Sequence, residues 1–138
     1  MGVVNAIGIE PSRTTILVVD DHAGFRRFAR AFLQSEGFDV VGEAADGQGA
    51  IEAASALRPD AILLDVQLPD LDGFEVTRRV LESAHGGAPA VVLVSSREAN
   101  DYGERVGTSG ARGFLPKAEL SSATLHALIG DGTTRSAG

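Results

Sequence analysis

Five side chains of this 138-residue sequence stand where apolar, β-branched runs stop, and their types suit cation and phosphoryl chemistry. Asp20 and Asp21 follow Ile16-Leu17-Val18-Val19, and Asp65 follows Ala61-Ile62-Leu63-Leu64. Ser95, with Ser96 behind it, closes Val91-Val92-Leu93-Val94, and Lys117 comes just after Phe114-Leu115. Three carboxylates brought together repel one another, so such a site needs a counter-charge. Oxygen-only donors prefer a hard cation, and a few carboxylates plus waters suit Mg²⁺. Mg²⁺ and the Lys117 ammonium would together balance the three acids. An acyl phosphate on Asp65 would then be gripped by metal, lysine and the Ser95 hydroxyl, an electrostatic clamp on a transferring phosphoryl group. Lys117 is the single lysine beside eleven arginines. A compact ammonium on a flexible stem suits this clamp, and a planar guanidinium does not.

Taken singly, these residues say little. Aspartates commonly end strands as turn formers or helix caps, and a lone lysine is ordinarily a solvated charge. Their joint placement at the ends of successive runs is what capping alone does not produce. The elements between them fit that placement. Strands are predicted at about 15–20, 39–44, 60–65, 90–95 and 112–115. Continuous apolar runs of this length suit strands of a parallel sheet buried on both faces. Between them lie helix-period segments. Phe25, Phe28, Ala29, Phe32 and Leu33 mark the first, ended by Gly37. Asp46 caps a second, which reaches about Leu57 and stops before Pro59. Val76, Val80, Leu81 and Ala84 mark the third, after the loop 67–73. A last helix is expected over 120–129, capped by Gly130.

The fourth helix, near 98–109, is expected to be the weakest. It holds Gly103 and Gly107, each costing roughly 1 kcal/mol against alanine in a helix interior, and its large apolar residues are only Tyr102 and Val106. Alternating strands and helices give an α/β fold, a five-stranded parallel sheet doubly wound by helices on both faces. Ligands of such sheets bind beyond the carboxyl ends of the strands, where the strand order switches. Residues 1–14 read as a flexible leader, 15–130 as one domain and 131–138 as a flexible polar tail.

Composition narrows the function classes. The chain is 43% hydrophobic and 22% charged, which is a globular balance, and its length fits one domain. Without cysteine there is no disulfide, thiolate metal site or cysteine nucleophile. A net charge of −7 makes the domain a poor non-specific binder of nucleic acid. No apolar run approaches the ~18 residues of a membrane span, and the N-terminus lacks a signal-peptide pattern. The expectation is a cytoplasmic protein with no membrane contact.

The motifs together resemble the receiver domains of two-component response regulators. The acid pair stands in Val18-Val19-Asp20-Asp21-His22, the third acid in Leu63-Leu64-Asp65-Val66-Gln67-Leu68-Pro69-Asp70-Leu71-Asp72-Gly73, and the lysine in Gly113-Phe114-Leu115-Pro116-Lys117. The likeness covers about residues 15–130. It implies a flavodoxin-like (βα)5 fold with Mg²⁺ as cofactor. It implies that Asp65 is the phosphoacceptor, that Asp20, Asp21 and Asp65 hold the metal with the backbone carbonyl of Gln67, and that Asp21 does so more directly than Asp20. Ser95 would bond a phosphoryl oxygen and move inward on activation, and Phe114 would be the aromatic that swings with it. The implied partners are a sensor histidine kinase or histidine phosphotransfer protein, an unknown output partner, and a second copy in a phosphorylation-dependent homodimer. Catalysis would be limited to the domain's own phosphorylation and dephosphorylation, so no enzyme acting on outside substrates is expected.

Asp20-Asp21-His22 with Val40-Val41-Gly42-Glu43-Ala44-Ala45-Asp46-Gly47 looks most like the receivers of regulators with a LuxR-type helix-turn-helix output. The chain ends eight residues past Gly130. The expectation is therefore a stand-alone receiver or a truncated DNA-binding regulator, with no nucleic acid bound by this chain itself. Many receivers have proline after the lysine; here Ala118 follows and Pro116 precedes, which leaves the Leu115–Pro116 bond open between cis and trans. The glycine-rich, loose fourth helix is a candidate for an element that phosphorylation orders.

Other residues are read more blandly. His22 opens a loop as a surface residue rather than a ligand, and His22, His85 and His126 lack zinc spacing. Arg26, Arg27 and Arg30 form either a solvated face or a docking face for an acidic partner. Phe25, Phe28 and Phe32 are assigned to the core. One competing function is a Mg²⁺-dependent phosphohydrolase with an aspartyl-phosphate intermediate. It wants an acid two residues after the nucleophile, where Gln67 stands. A pseudo-receiver that binds partners without phosphate is a second alternative, set against the intact set of five groups. A flavin domain shares the topology, but an acidic pocket repels a flavin phosphate.

Overall fold

The computed structural model describes residues 13–84, 86–96, 102 and 104–130. Five strands, β1 (Thr15–Val19), β2 (Asp39–Ala44), β3 (Ala61–Asp65), β4 (Ala90–Ser95) and β5 (Gly113–Pro116), alternate with five helices. These are α1 (Ala23–Ser35), α2 (Gly47–Leu57), α3 (Gly73–Glu82), α4 (Glu104–Thr108) and α5 (Ser122–Leu128). The strands form one parallel sheet in the order β2-β1-β3-β4-β5, the flavodoxin-like arrangement. The chain runs outward from β1 to β2, then crosses back over β1 to β3. The order therefore switches between β1 and β3, and their carboxyl ends carry Asp20 and Asp65.

The strands are apolar on both sides because both faces of the sheet are covered. Ile16, Val18, Leu63, Val92 and Val94 pack under α1 and α5. Leu17, Val19, Ile62, Leu64, Val91 and Leu93 pack under α2 and α3. Register then sets what lies beside what at the carboxyl edge. Val19 pairs with Leu64, Asp65 with Val94, and Ser95 with Pro116. Asp60 fixes the opposite edge by accepting the Thr15 N–H at 2.8 Å.

Local chemistry explains most helix ends. Asp46 accepts the Gly49 N–H at 2.7 Å and starts α2. That helix stops at Arg58, in the left-handed region at φ 48°, one residue before Pro59. After α1 the chain turns at Gly37 (φ 94°), and Phe38 N–H reaches back to the Leu33 carbonyl at 3.0 Å. Glycine is needed there because an L side chain at positive φ meets the neighbouring carbonyl. Gly130 (φ 101°) closes α5 likewise, its N–H bonding the His126 carbonyl at 3.0 Å.

Three expectations shift. β5 starts one residue later than read, at Gly113. α5 is shorter than 120–129, because residues 117–119 form a 3₁₀ turn and Ser121 and Thr124 make a reciprocal capping box that starts the helix at Ser122. Of the segment expected as the fourth helix, residues 98–101 and 103 lie outside the described residues, as does residue 97 before it. What is described, α4, has five residues and buries none of them. The Leu115–Pro116 bond is trans, and no described peptide bond is cis. Residues 1–12, His85 and the tail 131–138 also lie outside the described residues. Among the described residues no helix is long and apolar enough to cross a membrane.

Candidate functional site

The acids meet at the switch point. Asp20 is fully buried and Asp65 is 4% exposed, whereas Asp21 lies at the surface. Lys117, delivered by the turn after β5, places Nζ 2.6 Å from Asp20 Oδ2 and 3.5 Å from Asp65 Oδ2. Lys117 Nζ also lies over the Phe25 ring of α1, 4.5 Å from its centre. One ammonium therefore faces two buried carboxylates. Burial pushes the Asp65 carboxyl above the ordinary carboxylate range, and the Asp20 charge adds to it. The Gln67 N–H, 3.1 Å from Asp65 Oδ1, and the Lys117 ammonium pull the other way without cancelling it.

Surrounding groups hold the acids in place. Asp20 N–H bonds the Ala44 carbonyl at 3.1 Å, and the Asp20 carbonyl accepts Arg26 Nη1 at 2.6 Å. Its Oδ1 accepts the His22 N–H at 2.8 Å and lies 3.1 Å from His22 Nδ1. His22 Nδ1 is also 3.2 Å from Asp21 Oδ1, so the ring leans over the pair instead of facing solvent alone.

A divalent cation fits this donor set. Ligand atoms of Asp20, Asp21, His22 and Asp65 all lie within 4.8 Å of one another. Asp20 Oδ2 is buried, and its partner among the described residues is the Lys117 ammonium at 2.6 Å. Three carboxylates around one ammonium leave an excess of negative charge, which an oxygen-seeking cation would answer. His22, read from sequence as a plain surface residue, belongs to the cluster.

The loop after β3 is built to keep the Asp65 end fixed. Asp70 accepts the N–H groups of Gly47 and Gln48 at 2.7 and 2.9 Å, fastening the loop to the start of α2. Those bonds hold its carboxyl below the usual range. Asp72 caps α3 through the Glu75 N–H at 2.8 Å. Gly73 bonds the Val66 carbonyl at 2.7 Å, and a Cβ there would sit 2.7 Å from the Asp65 carbonyl oxygen and 2.8 Å from Val66 Cα. Both are backbone atoms with no room to move. Gly73→Ala is therefore expected to lose about 1–3 kcal/mol of stability, the range for overpacking. Urea denaturation with an unchanged m-value checks this.

Ser95 is fully buried at the end of β4, one residue past the partner of Asp65, and its Oγ lies 3.0 Å from the Tyr102 hydroxyl. Phe114 is half-buried beside Tyr102, ring centres 5.5 Å apart. The fold thus gathers Asp20, Asp21, Asp65 and Lys117 into one cluster, with Ser95 on the next strand and Phe114 a strand further. Gln67 meets Asp65 through its N–H.

Several residues depart from expectation or were missed. Phe28, assigned to the core, is 53% exposed and stacks on Phe32 at 6.0 Å. Only Ala29 and Leu33 of α1 are buried, so the aromatic stripe straddles the edge of the buried face. Arg26 and Arg30 are partly spent on Glu43, at 3.1 and 2.7 Å, and Arg30 above all holds that carboxyl below its usual range. Asp70 and Tyr102 carried no local signal, since their partners are supplied by other strands and helices.

Residues 16–129 match the family model described as the response regulator receiver domain. The chain is 36% identical over 115 residues to the virulence factors putative positive transcription regulator BvgA of Bordetella pertussis, covering 83% of this chain and 52% of that protein. It is 35% identical over 102 residues to the transcriptional regulatory protein PdtaR of Mycobacterium tuberculosis, covering 74% of this chain and 48% of that one. The chain thus spans about half the length of these curated relatives. The signal receiver domain of the putative response regulator NarL from Mycobacterium tuberculosis superimposes with a TM-score of 0.72 at 33% identity, covering 87% of this chain and 92% of that one. With the doubly wound sheet, the acid cluster at its switch point and the lysine after β5 in place, the chain belongs to the receiver domains of two-component response regulators.

Proposed function

We propose that Asp65 is the phosphoacceptor of a two-component phosphorelay and that phosphorylation switches a protein-interaction face. One observation carries this most: a buried carboxylate at the switch point shares the chain's single lysine with a second buried carboxylate. An Asp65 oxygen attacks the phosphorus of a phosphohistidine on a sensor histidine kinase or histidine phosphotransfer protein. The P–O bond forms as the P–N bond breaks, and the imidazole leaves. Lys117 offsets charge on the phosphoryl oxygens, and the Ser95 hydroxyl donates to one of them. Held by Asp20, Asp21, Asp65 and the Gln67 carbonyl, Mg²⁺ would supply the remaining positive charge. Water later hydrolyses the acyl phosphate, which is self-dephosphorylation. The donor approaches beside α1, where Arg26 and Phe25 border the site and Phe28 stands exposed. The output partner is unknown, and a phosphorylation-dependent homodimer is one form the output could take.

Intact mass after incubation with Mg²⁺ and a small phosphodonor tests this. One phosphoryl group is expected on the wild type, and none on Asp65→Asn or after chelation. A gain that survives in Asp65→Asn, or no gain in folded wild type from either the small donor or a phosphohistidine protein, would overturn the assignment.

A further inference from the structure

Tyr102 is the polar group at the site that this chemistry leaves unused. It is the chain's one tyrosine, and there is no tryptophan. Its hydroxyl lies 3.0 Å from the Oγ of fully buried Ser95. Its ring is held between two others, with centres 5.6 Å from Phe74 and 5.5 Å from Phe114. Phe114 has no hydroxyl and cannot make this bond itself. Just beyond, α4 buries none of its five residues. Its Arg105 reaches back to Asp72 at 2.9 Å and lies over the Phe74 ring at 4.3 Å, so it leans on the same aromatic group.

We infer that Tyr102 is a positioning residue for Ser95: its hydroxyl holds the Ser95 side chain in the unphosphorylated domain and lets go when a phosphoryl group on Asp65 takes that hydroxyl. This rests on Asp65 being the phosphoacceptor. A serine hydroxyl has a short reach. Turning it toward the acceptor therefore lengthens its bond to a tyrosine wedged between two rings. Once the bond is lost, the stack on Phe74 and Phe114 carries Tyr102 alone, and α4 loses a tie to the sheet. Phosphorylation thus loosens α4, the opposite sense from the ordering expected of a glycine-containing helix in the sequence.

The lone tyrosine makes the test direct. Protein labelled with meta-fluorotyrosine has one labelled side chain, read by fluorine NMR before and after beryllofluoride with Mg²⁺, a mimic of the acyl phosphate. The resonance is expected to shift in wild type, and in Ser95→Ala it is expected to start near the shifted position and stay there. Tyr102→Phe keeps the ring but removes this one bond to Ser95, so phosphorylation by a small donor is expected to speed up roughly two- to tenfold, the span of one hydrogen bond. A purely structural ring would leave that rate unchanged. If intact mass shows phosphorylation while the resonance does not move, or if Tyr102→Phe matches wild type in rate, the role of Tyr102 is wrong and the acceptor assignment stands. If no mass is gained at all, both fall.

Discussion

Asp65→Asn, besides accepting no phosphoryl group, is expected to be more stable than the wild type at pH 7 in chelator, because one of two buried like charges is removed. Asparagine keeps the shape and the oxygen that accepts the Gln67 N–H at 3.1 Å. What goes is a charge that burial and Asp20 both penalise. Lys117 loses its 3.5 Å neighbour and keeps the 2.6 Å one, so one carboxylate then faces one ammonium. The sign of the pH dependence follows from the raised carboxyl. A folded pKa above the ordinary 3.8 means that the native state binds the proton more tightly than the unfolded chain does. The associated stability is full below that ordinary value and is lost as pH rises through the folded pKa. The gap between mutant and wild type should therefore be small near pH 4 and widen toward neutrality. Urea midpoints across that range measure it. A gap that is constant with pH, or a mutant weaker than wild type, would mean that the Asp65 charge is not strained.

How much of this was legible beforehand follows from the range of the interactions. The five strands could be read because burial on both faces leaves an unbroken aliphatic run, as at Ile62-Leu63-Leu64. The acids and Lys117 could be located because each sits immediately after such a run. Caps at Asp46, Gly37 and Gly130 are local chemistry and were readable for that reason. Side-chain aim was not. His22 reads as a loop-surface residue and is 71% exposed, but that its ring nitrogen meets two carboxylates does not show in the sequence. Phe28 falls on the helical stripe of Phe25 and Phe32, but the stripe is wider than the face that Ala29 and Leu33 bury. Asp70 reaches residues more than 20 positions away to fasten the acceptor loop, which only the folded crossover decides. Ser95 could be found by its place at a strand end, while its bond to Tyr102 is a side-chain contact that sequence spacing does not reveal.

Lys117→Met should have the opposite effect from Asp65→Asn, and a larger one. Methionine keeps most of the stem and removes the ammonium, together with its place over the Phe25 ring. Asp20, fully buried, and Asp65, 5% exposed at its side chain, are then left with no ammonium between them. Removing one partner of a buried pair costs about 3–5 kcal/mol. That is the size of loss expected at pH 7 in chelator. Two treatments should restore much of the loss. Acid protonates Asp65, whose carboxyl rises further once Lys117 is gone. Mg²⁺ at one hundred times its dissociation constant adds about 2.7 kcal/mol, and the mutant should bind it more tightly than the wild type, since no ammonium competes for the acids. Phosphoryl gain should not recover with stability. The ammonium is asked to meet the transferring group itself, and losing one such contact slows the step by about 10²–10³-fold. Urea titrations with and without Mg²⁺, alongside intact mass, separate the two effects. A stability loss indifferent to pH and Mg²⁺ would mean that Lys117 serves packing, and a phosphorylation rate restored by Mg²⁺ alone would mean that its charge acts only on the resting site.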